Sequence, residues 1–340
     1  MAVRAFTYIS RCRSGALLGL LAGLAACQAQ PEAAGTQMAA AHPATGHFAG
    51  TLEVPGQPAL RAALEVRHPR PGHYDAELVV ANAPSLSFVA DTLAFEQNTL
   101  RLTRPGRPGE TLTLTQQGDF WRGALAVDSA SYPALLLRRG PAEPAVYRVR
   151  RDEIAGPSGQ ALLFSPADET LPGIALAVFP TAATAPNAPS WADALAREGY
   201  TVLLLPAADT LAPAHVAAAL TYLHRTPGVD TARVGAWAAG TRAPLLAAML
   251  AEPTLGSPRH AFVIVHGAPL PTATTRLTWR ALARTERVLG FYEATDAPTA
   301  RTANGLRTAL ANPQARVLRG QGAGLIEAVV GWLREQQPAR

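Results

Sequence analysis

Lysine is missing from this chain. All thirty basic residues among its 340 are arginine, so chemistry through a Schiff base on a lysine amine is excluded. Cysteine is nearly missing, with only Cys12 and Cys27 present. Two positions so near the start cannot build a disulfide framework or a thiolate metal site. Aromatic residues are 6% and charged residues 16% of the total. Of the formal net charge of +5, three units belong to Arg4, Arg11 and Arg13, which leaves +2 for the rest. A chain so close to neutrality is not built for nucleic acid. Long hydrophobic runs are also lacking: Ala16 to Ala26 is too short to span a bilayer as a helix. The wealth of alanine, proline and glycine, with arginine in place of lysine, reads as a genomic composition bias.

What is present begins with targeting. Basic residues precede the apolar run, and no acid occurs before Glu32. That is the layout of a secretory signal. The run ends Leu24-Ala25-Ala26-Cys27, which resembles the lipobox of bacterial lipoprotein signal peptides. The resemblance implies cleavage after residue 26, lipid on the Cys27 thiol, and 314 residues remaining. The alternative is an ordinary signal with an incidental cysteine. Acyl chains on Cys27 would make a membrane the first partner. Gln28 in place of an aspartate implies the outer membrane of a bacterial envelope. Residues 27–45 are rich in Ala, Gln, Pro and Gly and read as a disordered tether.

From residue 46 to about 140 the apolar pattern has period two, as in Thr111-Leu112-Thr113-Leu114-Thr115. Turn clusters such as His68-Pro69-Arg70-Pro71-Gly72 separate the runs. This predicts a small antiparallel all-β domain, a barrel or a sandwich. It resembles the β-rich domain that precedes the hydrolase domain in some bacterial secreted α/β-hydrolases, through Gly50-Thr51-Leu52-Glu53-Val54 and Trp121-Arg122-Gly123. Trp121 either faces a ligand or covers a barrel end. After a linker at Pro141 to Pro144, a hairpin (Tyr147 to Arg151, Ala161 to Ser165) opens a second domain over 146–337. There, solid apolar strands alternate with helices, which predicts a mostly parallel sheet covered on both faces. The strands are expected at Ile174 to Phe179, Thr201 to Leu205, Val234 to Trp237, Ala261 to Val265, Val288 to Tyr292 and Arg316 to Leu318.

Two stretches carry a family likeness. Ser190-Trp191-Ala192-Asp193-Ala194-Leu195-Ala196-Arg197-Glu198-Gly199-Tyr200-Thr201-Val202 and Leu220 to Gly235 resemble dienelactone-hydrolase-like and acyl-CoA-thioesterase-like α/β-hydrolases. The resemblance implies an α/β-hydrolase-like fold. It also implies places for a serine nucleophile, an acid, a histidine and an oxyanion pocket. Arg233 to Leu250 reads as strand, sharp turn and helix, the shape of a nucleophile elbow, yet Gly240 stands where the serine belongs. Thr241 is either a substitute hydroxyl or the helix N-cap. Asp296 takes the acid position, or is a loop carboxylate capping the next helix; Glu293 competes with it. The histidine position falls on Ala323, and the last histidine of the chain, His266, precedes the acid. The oxyanion segment is Phe179-Pro180-Thr181-Ala182-Ala183, and Pro180 has no N–H to give. His266 sits at a strand C-terminus, where open parallel sheets bind ligands, as a catalytic or a structural residue.

No metal site or cofactor is expected. His68 with His73 and His260 with His266 lack a carboxylate at ligand spacing. Gly320-x-Gly322-x-Gly324 lacks the lysine and the spacing of a phosphate loop, leaving weak anion binding at a helix N-terminus. Three functional readings follow. The first is an envelope-anchored pseudoenzyme that binds or scaffolds. The second is a carboxylic-ester or thioester hydrolase with an unconventional site of Thr241, His266 and Asp296. The third is a glycan- or lipid-binding protein acting through its β domain. Possible ligands are a small molecule, an acyl group or a glycan.

Overall fold

The computed structural model describes residues 42–154, 159–251, 259–293, 296–313, 315–320 and 324–335. Cys27 and Ala323 lie outside them. Two sheets are built in sequence. The first uses β1 (Gly46–Leu52), β2 (Leu60–Arg70), β3 (His73–Val80), β4 (Phe88–Val89), β5 (Thr92–Glu96), β6 (Thr99–Arg104), β7 (Arg107–Gln117), β8 (Phe120–Val127) and β9 (Ala130–Gly140). Their spatial order is β4-β3-β2-β1-β9-β8-β7-β6-β5. Every pairing is antiparallel.

The period-two residues form one buried face: Leu64 and Val66, Leu100 and Leu102, Leu112 and Leu114, Trp121 and Leu125. Alternation puts these side chains on one side of the pleat. The two edge strands are successive pieces of one segment. Ala90 N–H donates to Ala76 O and Asp91 N–H to Thr103 O, so the chain crosses from one edge to the other. The result is a single sheet curled into a half-barrel, not two sheets packed face to face. Trp121 is wholly buried, edge-on to Phe48 and Phe95. It is a core residue of this sheet.

The second sheet uses β10 (Tyr147–Glu153), β11 (Gln160–Pro166), β12 (Gly173–Phe179), β13 (Thr201–Leu204), β14 (Val229–Ala239), β15 (Phe262–His266), β16 (Arg287–Tyr292) and β17 (Arg316–Arg319). The order is β10-β11-β13-β12-β14-β15-β16-β17. The first two strands pair antiparallel, and the registers from β13 to β17 are parallel. The helices are α1 (Ala188–Arg197), α2 (Pro213–Arg225), α3 (Arg242–Ala251), α4 (Ala273–Thr285), α5 (Ala297–Leu310) and α6 (Gly324–Glu335).

Strand β12 shows why these strands read as continuous apolar runs. Ala175, Ala177 and Phe179 enter a core with α2 to α5. Ile174, Leu176 and Val178 enter a second core with α1 and α6. A strand covered on both faces has no solvated side to mark with polar residues.

The sheets join through close contacts. Gly106 turns with φ +70°, and a Cβ there would stand 2.7 Å from Pro189 Cγ, so only glycine lets this turn approach α1. Glu77 of β3 is buried between Arg67 (3.0 Å) and Arg197 of α1 (3.1 Å). Arg151 of β10 meets Asp91 at 2.7 Å.

Candidate functional site

The site forms at the C-terminal ends of β12, β14, β15 and β16. Strand β14 ends at Ala239, and Gly240 makes the turn into α3 with φ +53°. That left-handed backbone suits glycine and strains a residue with a Cβ. Its N–H donates to His266 O at 2.8 Å, which ties the turn to the end of β15.

A side chain at 240 would also meet an obstacle. A Cβ there would lie 3.3 Å from Thr181 Cγ2. Thr181 is buried, and its N–H is already given to Thr184 Oγ1 at 3.0 Å. Its carbonyl accepts from Thr184 N–H and Ala185 N–H. With Pro180 lacking an N–H and Thr181 donating locally, neither of these two positions offers a donor to a developing oxyanion.

His266 is buried. Trp191 lies 4.8 Å away edge-on, Phe291 5.9 Å and Trp237 6.3 Å. Burial lowers its pKa to about 4, because a charged imidazole is poorly solvated among these rings. Glu293 Oε1 stands 3.5 Å from Nε2. That carboxylate is 42% exposed, so water screens it and the burial cost prevails. His266 Nδ1 and Trp237 Nε1 have no hydrogen-bond partner among the described residues.

Asp296 is the N-cap of α5: its Oδ1 accepts from Thr299 N–H at 2.7 Å. That bond lowers its pKa. Thr241 is exposed. No hydrogen bond links Thr241, His266 and Asp296 among the described residues, and the carboxylate beside the imidazole is Glu293. Gly320 is described but Gly322 is not, so the glycine-rich loop falls partly outside the described residues.

The residue that sequence reading missed is Arg242. It follows the turn at the start of α3 and is buried. Nη1 donates to Pro180 O at 2.9 Å and Pro206 O at 3.3 Å. Its guanidinium carbon lies 5.7 Å from the centre of the Phe179 ring. Nε has no hydrogen-bond partner among the described residues, and burial lowers the pKa. An elbow of pattern small-x-Ser-x-small has a small residue here; the arginine standing in that place was its one visible signal.

His260 has no carboxylate at ligand spacing along the chain, yet Glu286 Oε1 lies 3.3 Å from its Nε2. His260 precedes β15 and Glu286 follows α4, so the two meet only in the fold. Burial raises the Glu286 pKa to about 7.

No family model matches this chain, and no curated relative does. Solved structures do. An esterase domain from Rhodothermus marinus is similar at 17% identity and TM-score 0.44, over 55% of this chain and 99% of that one. A dienelactone hydrolase from Anabaena variabilis is similar at 15% identity and TM-score 0.44, over 56% of this chain and 99% of that one. A lipase/esterase from Lactobacillus plantarum is similar at 13% identity and TM-score 0.41, over 56% and 98%. These neighbours are esterase and dienelactone-hydrolase types at low identity.

Proposed function

We propose that this chain is an α/β-hydrolase-fold pseudoenzyme: a lipid-anchored envelope protein that binds a small-molecule, acyl or glycan ligand without turning it over. The observation that carries the reading is the filled turn. Gly240 stands where a hydroxyl would be activated, and Thr181 occupies the space beside it. A triad hydrolase needs an imidazole that takes a proton from its nucleophile and is oriented by an acid. His266 is packed among aromatic rings, with its Nδ1 unpartnered. Removing even one member of such a triad costs roughly 10⁴ to 10⁶ in rate.

The esterase alternative asks Thr241, His266 and Asp296 to act together. Asp296 is committed to α5 and Thr241 makes no bond to the imidazole, so no observation favours it. A fluorophosphonate probe tests the reading, since it labels activated hydroxyls. The purified chain is expected to stay unlabelled; labelling that maps to Thr241 would refute inertness. For the anchor, Cys27→Ala is expected to move the protein from the membrane to the soluble fraction. Among the described residues no helix is long and apolar enough to cross a membrane.

A further inference from the structure

The first sheet carries an unusual group of side chains on its outer face. His47 of β1 and Glu65 of β2 are register partners, and Glu65 in turn pairs with Glu77 of β3. Among the described residues, the side chains of Glu65, Glu77, Glu110 and Asp91 are almost wholly covered, and three of these four face arginine. Glu77 has Arg67 and Arg197. Glu110 has Arg104 at 2.9 Å and Arg107 at 2.7 Å. Asp91 has Arg151.

Glu65 differs. It is 4% exposed, and no arginine lies within ion-pair distance of it among the described residues. Its Oε1 meets His47 Nδ1, and its Oε2 accepts from Glu143 N–H at 2.8 Å. That bond brings a second carboxylate, the side chain of Glu143, to the same place. The ligand atoms of His47, Glu65 and Glu143 all lie within 4.8 Å of one another. Two carboxylates therefore surround one imidazole, and neither forms an ion pair with arginine among the described residues. Arg67 donates through Nε to the Glu143 carbonyl, while its terminal nitrogens are held by Asp75 and Glu77.

We propose that His47, Glu65 and Glu143 bind a divalent transition-metal cation of the zinc class, which fastens the connector at Glu143 to strands β1 and β2. One nitrogen and two carboxylate oxygens form a mixed donor set that suits zinc, and the imidazole disfavours the all-oxygen preference of calcium and magnesium. Ligand atoms on one zinc stand roughly 3.4 Å apart, so the exposed Glu143 swings inward on binding. A cavity of about 720 Å³ lined by Gly46, Arg67, Arg138 and Glu143 adjoins the group and gives access from solvent. The fourth position is left for water. The site lies apart from the β14–α3 turn and does not depend on the functional reading above.

The test uses the untagged chain, stripped with a chelator. Zinc titration by calorimetry is expected to show one equivalent bound, with a rise in Tm. Cobalt in its place is expected to give the visible absorption of a low-coordinate N/O site. His47→Gln and Glu143→Ala should each weaken zinc about tenfold or more. Glu143 is exposed, so its variant keeps the fold even if Glu65→Gln does not. Failure to bind one equivalent overturns the proposal. So does binding that survives both variants, or binding that His68→Gln removes instead.

Discussion

At the scale of single residues, the site is governed by what burial does to charge and by what glycine permits. His266 is neutral because its ring neighbours cannot solvate a cation. Its folded pKa, about 4, lies below the unfolded value near 6.5. The unfolded chain therefore takes up the proton first, and stability present in full above about pH 6.5 is lost as pH falls toward 4. At about 1.36 kcal/mol per unit this reaches at most about 3 kcal/mol. His266→Phe should match the wild type in urea unfolding at pH 7.5 and exceed it at pH 4.5; parallel curves across that range would contradict the assignment. Gly240→Ser restores a hydroxyl to the turn but adds a strained φ and a contact with Thr181. It is expected to lower stability by about 1–2 kcal/mol and to leave the fluorophosphonate probe unreacted, as judged by Tm and labelling.

At the scale of elements, the alternation of apolar runs was legible because each strand of the second sheet feeds two cores. The expected strand Ile174 to Phe179 is β12 with one residue added, at Gly173. Strand β14 starts earlier than expected, at Val229, because Thr231-Ala232-Arg233 carries no apolar signal. Trp121 was ambiguous in sequence, since a tryptophan suits a core or a ligand equally. Arg242 showed only as an arginine in a small-residue place, because its partners are carbonyls of Pro180 and Pro206, which no side-chain pattern announces. His47, Glu65 and Glu143 were equally hidden: strand register, not spacing, brings them together. Asp296 illustrates a subtler limit: an acid after a strand and before a helix fits both a triad and a cap, and in the structure its Oδ1 accepts from Thr299 N–H as a cap does. Packing within β14 gives a direct check. A Cβ at Gly235 would fall 2.1 Å from the Phe262 ring, which lies in the core with Trp332 edge-on. Gly235→Ala should cost about 1–3 kcal/mol in denaturant unfolding; an unchanged midpoint would mean that the ring is free to move.

At the scale of the whole molecule, the two sheets are held by a few buried ion pairs and one close turn. Glu77 takes Arg67 from its own sheet and Arg197 from α1, so it is a joint between the halves. Removing it takes one partner from each of two guanidinium groups, leaving Arg67 with Asp75 and Arg197 with Asp193, at a cost of about 1–3 kcal/mol. Glu77→Ala is expected to lower the urea midpoint accordingly, and a loss under about 0.5 kcal/mol would show the joint to be dispensable.

Inertness at the β14–α3 turn is tested most directly by hydrolysis of p-nitrophenyl butyrate by the full-length chain. The expected rate equals that of buffer alone and is unchanged in Thr241→Ala and His266→Ala. Turnover above background that either substitution removes would contradict it.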